Sequence, residues 1–270
     1  MARRRESHGA GAEVRIYVCG RFAIEKGETI VRESDFPARQ GRRLWAALVL
    51  QRRRPAGRER LAEAVWGDAI PDAWDTALNA LVSRLRAALR RLGSDPAAPS
   101  LRGEVGRYEL LLAEGTFVDF ERARTAIHAA ETSLRGGDPG AALAEARVAM
   151  EIAGRGFLPG EEGAWIEAAR RELSDITVRA LESTIEGELL RGNPSVAERE
   201  ARYLLGLDPL RESGYRLLMR ALSATGNGAQ LARVVADCRR ILLEQAGMSP
   251  SADTERLFRE LTAPPRSGRL

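Results

Sequence analysis

The hydrophobic pattern changes its period once along the chain, near Phe117, and this change constrains the fold more than any other feature. Before Phe117, short alternating segments typical of strands are mixed with helical patterns, whereas only helical spacing, broken by glycine and proline, follows it. Because 270 residues exceed one ordinary small core, the sequence predicts two domains. We expect an α+β domain over residues 14–113 and an all-α domain over 114–262, between a disordered basic tail at 1–13 and a flexible tail at 263–270.

The first domain is predicted to contain a small antiparallel sheet, three helices and a hairpin. The predicted strands cover residues 14–19, 21–25 and 28–31. The predicted helices cover residues 39–51, 58–66 and the stretch that begins after Asp72 and ends at Leu92. Residues 101–112 have turn residues at their centre and strand residues at both ends, which predicts a hairpin.

The third predicted helix is the most informative element for function. Its apolar residues recur at helical spacing and must face the core, and they are Leu78, Leu81, Val82, Leu85 and Leu89. The polar or small residues that fall largely off this stripe are Thr76, Asn79, Ala80, Ser83, Arg84, Arg86 and Arg90. An α-helix fits the major groove of DNA, where arginine can pair with guanine and asparagine with adenine. An arginine-rich helix face is also a common solvated surface, so the context of the helix matters.

That context has the order of a winged-helix DNA-binding domain, because two short helices precede the third helix and a hairpin follows it. Arg102 and Arg107 flank the hairpin tip, where an arginine can enter the minor groove. Arg58 and Arg60 belong to an arginine-rich stretch around residues 52–60. They either contact phosphates, which would give salt-sensitive binding, or they lie in a solvated loop.

The charge is divided unevenly along the chain. Residues 1–112 hold 21 arginines and lysines against 14 acids, a net charge of +7, whereas residues 113–270 carry −3. This division indicates that only one of the two domains meets a polyanion. Lys26 is the only lysine, and because arginine in place of lysine is also typical of GC-rich genomes, this usage alone does not indicate phosphate recognition.

The second domain is predicted to consist of repeated helix pairs. Similar glycine-rich breaks between helices occur at residues 136–142, 192–197 and 226–231. Gly192 and Gly226 are 34 residues apart, which is the period of a tetratricopeptide repeat. The first unit then needs an insertion, expected around residues 154–163, and a non-repeating bundle with ordinary turns is the alternative.

The sequence offers no candidate active site. Its two histidines, His8 and His128, are far apart, so no histidine cluster can bind a metal or form a catalytic triad. The phosphate-binding motif G-x-x-x-x-G-K-[ST] does not occur. Glu161 and Glu162 fall in a loop, where neighbouring acids are more often solvated than catalytic. We therefore expect no enzyme, and neither a cofactor nor a metal site.

The expected compartment is the cytoplasm. No stretch approaches the roughly 20 apolar residues that a membrane span needs, and no secretory signal is recognisable after Met1. Cys19 and Cys238 are far apart in the sequence, so we interpret them as two ordinary buried thiols.

Several segments resemble a known family of bacterial regulators. Residues 61–67 (LAEAVWG), 79–86 (NALVSRLR) and 106–108 (GRY) resemble the OmpR-type winged helix of the Streptomyces antibiotic regulatory proteins. The segments that resemble the bacterial transcriptional activator domain of those proteins are 117–120, 165–173, 208–212, 217–222 and 247–250. The resemblance extends over about residues 14–261, and the order of the motifs is more specific than any single one.

The resemblance implies an OmpR-type winged helix followed by a tetratricopeptide-like helical repeat domain. It implies a transcription activator that binds tandem direct repeats in promoter DNA, where a dimer would fill both repeats, and that contacts RNA polymerase. Carried over by position, Arg84 and Arg86 are the DNA-contacting arginines of the third helix, and Arg102 lies on the wing. Asn79 and Ala80 are candidates for reading bases. Larger family members append an ATPase module, and we expect neither this module nor a receiver domain here.

Three positions depart from the family pattern. Asp75 stands where family members commonly carry arginine, and a carboxylate there would repel a phosphate. Arg107 replaces the second glycine of a Gly-Gly-Tyr wing motif, and Asn79 is shorter than the usual glutamine or arginine. These changes concern the target sequence rather than the class of protein. The alternative function is a tetratricopeptide-like protein-interaction scaffold with a degenerate winged helix.

Overall fold

The structure is a computed structural model that describes residues 13–263, which divide into two compact units. The N-terminal unit holds the described residues up to Arg122 together with Arg155–Glu172, and the helical unit holds Ala123–Gly154 and the described residues from Leu173 onward. The predicted domains are continuous stretches of the chain, whereas each compact unit consists of two separate stretches. The predicted domain limits therefore stay a prediction. Apart from Glu13 and Ala263, the two predicted tails lie outside the described residues.

The N-terminal unit begins with the predicted antiparallel sheet. Its strands are β1 (Val14–Tyr17), β2 (Ala23–Lys26) and β3 (Thr29–Arg32). A further strand, β7 (Phe117–Val118), pairs with β1 in parallel and extends the sheet to the order β3-β2-β1-β7. The expectation that only helices follow from Phe117 is therefore wrong for these two residues, which form backbone hydrogen bonds to β1 before the next helix begins.

The three predicted helices and the hairpin are confirmed. The helices are α1 (Ala38–Leu50), α2 (Arg58–Trp66) and α3 (Trp74–Leu89), and a 3-10 turn at Arg90–Leu92 prolongs α3. The hairpin consists of β5 (Ser100–Glu104) and β6 (Arg107–Leu111). A short strand, β4 (Ala56–Gly57), pairs with the other edge of β6, so the three-stranded sheet connects the start of α2 to the hairpin.

A segment from the middle of the chain completes the core of the N-terminal unit. Phe157 forms an isolated β-bridge with Cys19 and is 1% exposed. Its ring centroid lies 5.6 Å from that of Phe120 and 5.8 Å from that of Trp165, and both pairs meet edge to face. The insertion that the repeat spacing predicts around residues 154–163 thus packs in the N-terminal unit and not in the helical repeats.

The same segment carries a buried carboxylate. Glu161 is 2% exposed, and it accepts hydrogen bonds from Arg39 Nε at 2.6 Å and from Arg42 Nη2 at 2.9 Å. The expectation that Glu161 is solvated is therefore wrong, because two guanidinium groups take the place of water around it. Glu162, in contrast, is exposed as expected.

A second buried carboxylate joins the start of the next helix to the end of β1. Asp119 is fully buried and accepts backbone N–H groups from Val18 at 3.0 Å and from Cys19 at 2.9 Å. Burial raises the pKa of Asp119 above its ordinary value, while these backbone donors act in the opposite direction. The carboxylate satisfies two buried backbone N–H groups at the point where β1 leaves the sheet.

We expect Asp119→Ala to lower the free energy of unfolding by about 2–3 kcal/mol, because the backbone N–H groups of Val18 and Cys19 would lose their buried acceptor. The measurement is urea unfolding followed by tryptophan fluorescence, since all four tryptophans belong to the N-terminal unit. Glu114→Ala removes an exposed acid of the same unit and serves as the control. Equal unfolding midpoints for the two variants would contradict the structural role of Asp119.

The remaining helices lie wholly or mostly in the helical unit. They are α4 (Asp119–Arg135), α5 (Pro139–Ala153), α6 (Ala164–Leu190), α7 (Pro194–Leu207), α8 (Glu212–Ala224), α9 (Gly228–Ala246) and α10 (Ala252–Thr262). The first parts of α4 and α6 belong to the N-terminal unit. Helix α8 packs against α7, α9 and α10, and its residues Tyr215, Leu218 and Leu222 are buried in the core of this unit. No helix of the described chain combines the length and the apolar character needed to cross a membrane.

The three glycine-rich breaks share one local geometry. Gly137, Gly192 and Gly226 all have a φ near +75°, a left-handed conformation that ends a helix and that glycine adopts without strain. The next residue is Asp or Asn in each case and becomes the N-cap of the following helix. The side chain of Asp138, for example, accepts the backbone N–H of Ala141 at 3.0 Å. This repeated stop and start explains why the breaks resemble each other in sequence.

An ion pair connects α6 to the start of α8 in the helical unit. Arg211 donates to both carboxylate oxygens of Glu182, at 2.9 Å from Nε and 3.1 Å from Nη2, and the Ser213 hydroxyl also donates to Glu182. Burial alone would raise the pKa of Glu182, but the donors Arg211 and Ser213 outweigh it and hold the pKa below its usual value. The ionised carboxylate therefore contributes stability above the unfolded-state pKa.

We expect Glu182→Gln to lower the free energy of unfolding by about 1–2 kcal/mol at neutral pH, less than for a fully buried pair because both side chains are partly exposed. The deficit should shrink as the pH falls from about 5 through 4 and below, since the wild-type carboxylate then becomes protonated. Urea unfolding followed by circular dichroism over that pH range measures it. Glu186→Gln, which replaces an exposed acid one turn further along α6, serves as the control.

Candidate nucleic-acid interface

Helix α3 has one fully buried side and one exposed side. Leu78, Leu81 and Leu85 are 0% exposed and lie in the core of the N-terminal unit, as predicted. The residues on the other side of α3 and its 3-10 extension that are exposed in the structure are Asp75, Thr76, Asn79, Ala80, Ser83, Arg84, Ala87 and Arg90. The sequence-predicted candidates on α3 therefore share one solvent-facing surface, with the exception of Arg86. We call this surface the exposed face of α3.

Arg86 connects α3 to the hairpin. Its side chain is half-buried, and Nε donates to the backbone oxygen of Leu101 on β5 at 3.1 Å. A Cβ atom placed on Gly103 would lie 3.3 Å from Arg86 Nη2 and 3.3 Å from the Tyr108 ring, so glycine lets the strand approach both side chains. The role of Arg86 in DNA contact stays a prediction. In the structure, Arg86 packs between α3 and the wing.

The hairpin β5–β6 forms a wing with a two-residue tip. Val105 at the tip is fully exposed, and Gly106 has a φ of +74°. Arg102 on β5 is exposed and forms ion pairs with Glu104 and Glu109. Arg107 on β6 is exposed and forms no ion pair with any described residue. Of the two wing arginines, only Arg107 is therefore without a counter-charge.

A hydrogen-bond network joins the N-terminus of α2, the start of α3 and the wing. Arg58 Nε donates to Asp75 Oδ1 at 2.9 Å, and Nη2 also donates to this oxygen. Arg58 Nη2 donates to Asn79 Oδ1 at 2.9 Å, and Nη1 donates to the Tyr108 hydroxyl at 3.1 Å. The Tyr108 hydroxyl in turn donates to Asn79 Oδ1 at 2.7 Å. We call these four residues the latch.

The latch changes what two of the predicted site residues can do. Asn79 would need a free Oδ1 to accept from adenine, but this oxygen already accepts from Arg58 and Tyr108. Arg58 is likewise engaged by Asp75, so neither side chain is free in this structure. Tyr108 and Asp75 are functional candidates that were not selected from the sequence. The sequence feature that could have indicated the pairing of Arg58 is Asp75, which departs from the family pattern and supplies a carboxylate that an arginine can bind.

The exposed arginines of residues 53–107 differ in their ion pairing. Those that form no ion pair within residues 13–263 are Arg53, Arg54, Arg60, Arg84, Arg90 and Arg107. Arg52, in contrast, pairs with Glu121, and Arg91 pairs with Asp35. The backbone N–H of Arg58 donates to Gly106 at 3.1 Å, which brings the start of α2 to the wing tip. Uncompensated positive charge thus accompanies α2, α3 and the wing, the elements that approach DNA in winged-helix proteins.

We expect Tyr108→Phe to lower the free energy of unfolding by about 1 kcal/mol, because the latch loses one donated and one accepted hydrogen bond. Tryptophan fluorescence during urea unfolding measures the change. Tyr203→Phe removes a hydroxyl from an exposed tyrosine of α7 and should leave the midpoint unchanged. An equally small effect of both variants would show that the latch hydroxyl does not stabilise the wing.

Comparison with known proteins places the chain in a class. The family model of the bacterial transcriptional activator domain matches residues 118–262, which is more than half of the chain. The model described as transcriptional regulatory protein, C terminal, matches residues 38–103, which contain α1, α2, α3 and most of β5.

Individual relatives agree with these matches. The regulatory protein AfsR of Streptomyces coelicolor is 33% identical over 236 residues, which are 87% of this chain but only 23% of AfsR. AfsR of Streptomyces griseus is 29% identical, and again the chain spans only 22% of it. The transcriptional regulator RedD of Streptomyces coelicolor is 26% identical over 94% of this chain and 71% of RedD.

A solved structure shows the same fold. Mycobacterium tuberculosis EmbR, determined in complex with a low-affinity phosphopeptide, superposes with a TM-score of 0.77 at 21% sequence identity. The match covers 93% of this chain and 65% of the EmbR chain.

The winged helix and the two family matches define a DNA-binding transcriptional regulator, with a winged-helix region followed by an all-helical activator domain. The chain belongs to the Streptomyces antibiotic regulatory protein family, together with AfsR and RedD. The fold class and the class of function predicted from the sequence are confirmed, because both matched models describe transcription regulators.

Proposed function

We propose that the chain is a transcription activator that recognises tandem direct repeats in promoters through the exposed face of α3 and the wing. The observation that carries this proposal is the exposed face itself, which lies opposite a fully buried leucine stripe and is accompanied by arginines without counter-charges. A helix of this kind fits the major groove, and the uncompensated arginines supply the attraction to phosphate.

The proposed roles follow from the contacts of each side chain. Thr76, Ala80, Ser83 and Arg84 are exposed on α3 and are proposed to face base edges, with Arg84 as the residue able to pair with guanine. Its only hydrogen bond within the described chain is at 3.4 Å to the backbone oxygen of Ala80, so the guanidinium is available.

The remaining contacts are proposed for phosphate and for the wing. Arg60 on α2 and Arg107 on β6 are exposed without ion pairs in the described chain and are assigned to phosphate or the minor groove. Arg102 would contact DNA only by exchanging Glu109 for a phosphate. Arg58 would contact a phosphate by exchanging Asp75 for it, whereas Asn79 would first have to leave the latch. Arg86 is proposed to support the wing through its hydrogen bond to β5.

We further propose that two copies bind side by side on the direct repeats and that the helical unit contacts RNA polymerase. Tyr203 and Leu207 on α7, one turn apart, are 57% and 51% exposed and offer an apolar surface for a protein partner. A regulator of promoters acts where the chromosome is, so we place the chain in the cytoplasm at the nucleoid.

We expect Arg84→Ala to weaken binding to the preferred duplex by about 1–3 kcal/mol, because a bidentate contact to guanine would be lost. The duplex is obtained by selecting a random library with the wild-type chain, and fluorescence anisotropy measures the dissociation constant. The selected sequences should contain two copies of one motif in the same orientation.

The matched control is Arg233→Ala, which removes an exposed arginine without an ion pair in the described chain from α9 of the helical unit. This variant should bind like the wild type, and wild-type affinity should fall steeply with salt. If Arg84→Ala binds the selected duplex as tightly as Arg233→Ala does, α3 is not the reading helix.

A further inference from the structure

We propose that Asp75 is an internal counter-ion that competes with backbone phosphate for Arg58 and thereby limits how tightly the chain holds DNA of any sequence. The inference rests on the proposed function, because it takes α2, α3 and the wing to be the elements that meet DNA. It deepens that function by assigning a role to an acid on the recognition helix.

The position of Arg58 makes it a phosphate-binding candidate. It is the first residue of α2, and the helix that precedes the recognition helix crosses the DNA backbone in helix-turn-helix proteins. Arg53, Arg54 and Arg60 surround it in sequence, and all three are exposed and form no ion pair with a described residue. Arg58 differs from these neighbours because the carboxylate of Asp75 holds it.

Asp75 occupies the atoms of Arg58 that a phosphate would use. Both Nε and Nη2 of Arg58 donate to Asp75 Oδ1, and these two groups form one edge of the guanidinium fork. Phosphate and carboxylate oxygens both accept from this edge of an arginine, so the two acceptors exclude each other. The third guanidinium nitrogen, Nη1, donates to the Tyr108 hydroxyl.

The exposure of the pair allows the exchange. The Asp75 side chain is 59% exposed and that of Arg58 is 19% exposed, so a phosphate can approach from solvent without unfolding the latch. An exposed carboxylate–arginine pair contributes little net stability, and a phosphate in a strongly charged backbone competes effectively with it. The carboxylate therefore weakens DNA binding without blocking it, and the weakening is the same for every DNA sequence.

Such a counter-ion favours discrimination between sequences. Phosphate contacts raise the affinity for all duplexes alike, whereas base contacts raise it only for the preferred one. A weaker phosphate contribution shortens the time that the protein stays bound to unrelated DNA, and it leaves the free energy from base contacts unchanged. Asp75 thus compensates for part of the positive charge of the N-terminal unit at Arg58, one of the proposed phosphate contacts.

The test measures binding of the full chain to a fluorescein-labelled duplex of mixed sequence over a salt series. We expect Asp75→Asn to raise the affinity roughly five- to tenfold near 0.1 M salt and to steepen the slope of log K against log salt by about 0.9, the value for one added phosphate contact. Asp75→Ser is a second variant, since serine is well tolerated at helix starts.

Two further variants separate the counter-ion from general charge repulsion. Glu59→Gln neutralises an exposed acid beside Arg58 that forms no ion pair within the described chain, and it should change affinity less than Asp75→Asn. In an Arg58→Gln background, Asp75→Asn should have little effect, because the arginine that it would release is absent.

The outcomes distinguish this inference from the proposed function. Salt-sensitive binding by the wild type, with an Asp75→Asn gain that equals that of Glu59→Gln or persists in the Arg58→Gln background, would overturn the inference alone. A loss of affinity in Asp75→Asn would also overturn it and would indicate that the carboxylate accepts from a base amino group. If neither the wild type nor any variant binds duplex DNA at low salt, both the inference and the proposed function fail.

Discussion

The reading surface proposed for α3 depends on the burial of the opposite side of the same helix. Leu78, Leu81 and Leu85 are completely buried, and each contributes about 1.5–3 kcal/mol relative to an exposed position. A rotation of α3 by one residue would bring leucines to solvent and place arginines in the core, at a cost that exceeds the stability of an ordinary domain. The hydrophobic stripe therefore decides which polar side chains can meet a ligand.

Ion pairing then decides which arginines remain available. Several arginines of the N-terminal unit fasten one segment to another, as Arg39 and Arg42 do on the buried Glu161. Others, including Arg84 and Arg107, have no acid opposite them in the described chain. The net charge of the sequence could not distinguish these two groups, because partners that are distant in sequence set the availability of each guanidinium.

Much of the fold follows from local patterns, and the three-dimensional exceptions are specific. The helix positions, the hairpin and the buried side of α3 were predictable because apolar spacing and glycine stops are local signals. The strand at Phe117–Val118 was not, since two residues carry no periodicity and pair with a strand a hundred residues earlier. The engagement of Asn79 was equally hidden, because it depends on Arg58 and Tyr108 meeting in space. Its assignment as a base reader stays a prediction.

The return of residues 155–172 to the N-terminal unit has a consequence for how such regulators can be divided. A fragment that stops after the wing would lack Phe157 and Trp165. It would lose the β-bridge between Phe157 and Cys19 and the hydrogen bond that Trp165 Nε1 donates to the backbone oxygen of Ala64. Isolated reading modules made by a single cut are thus expected to aggregate. The same holds for chimeras of two relatives that are joined at one point after the wing. In such a chimera, residues 155–172 of one parent would have to pack against the N-terminal unit of the other.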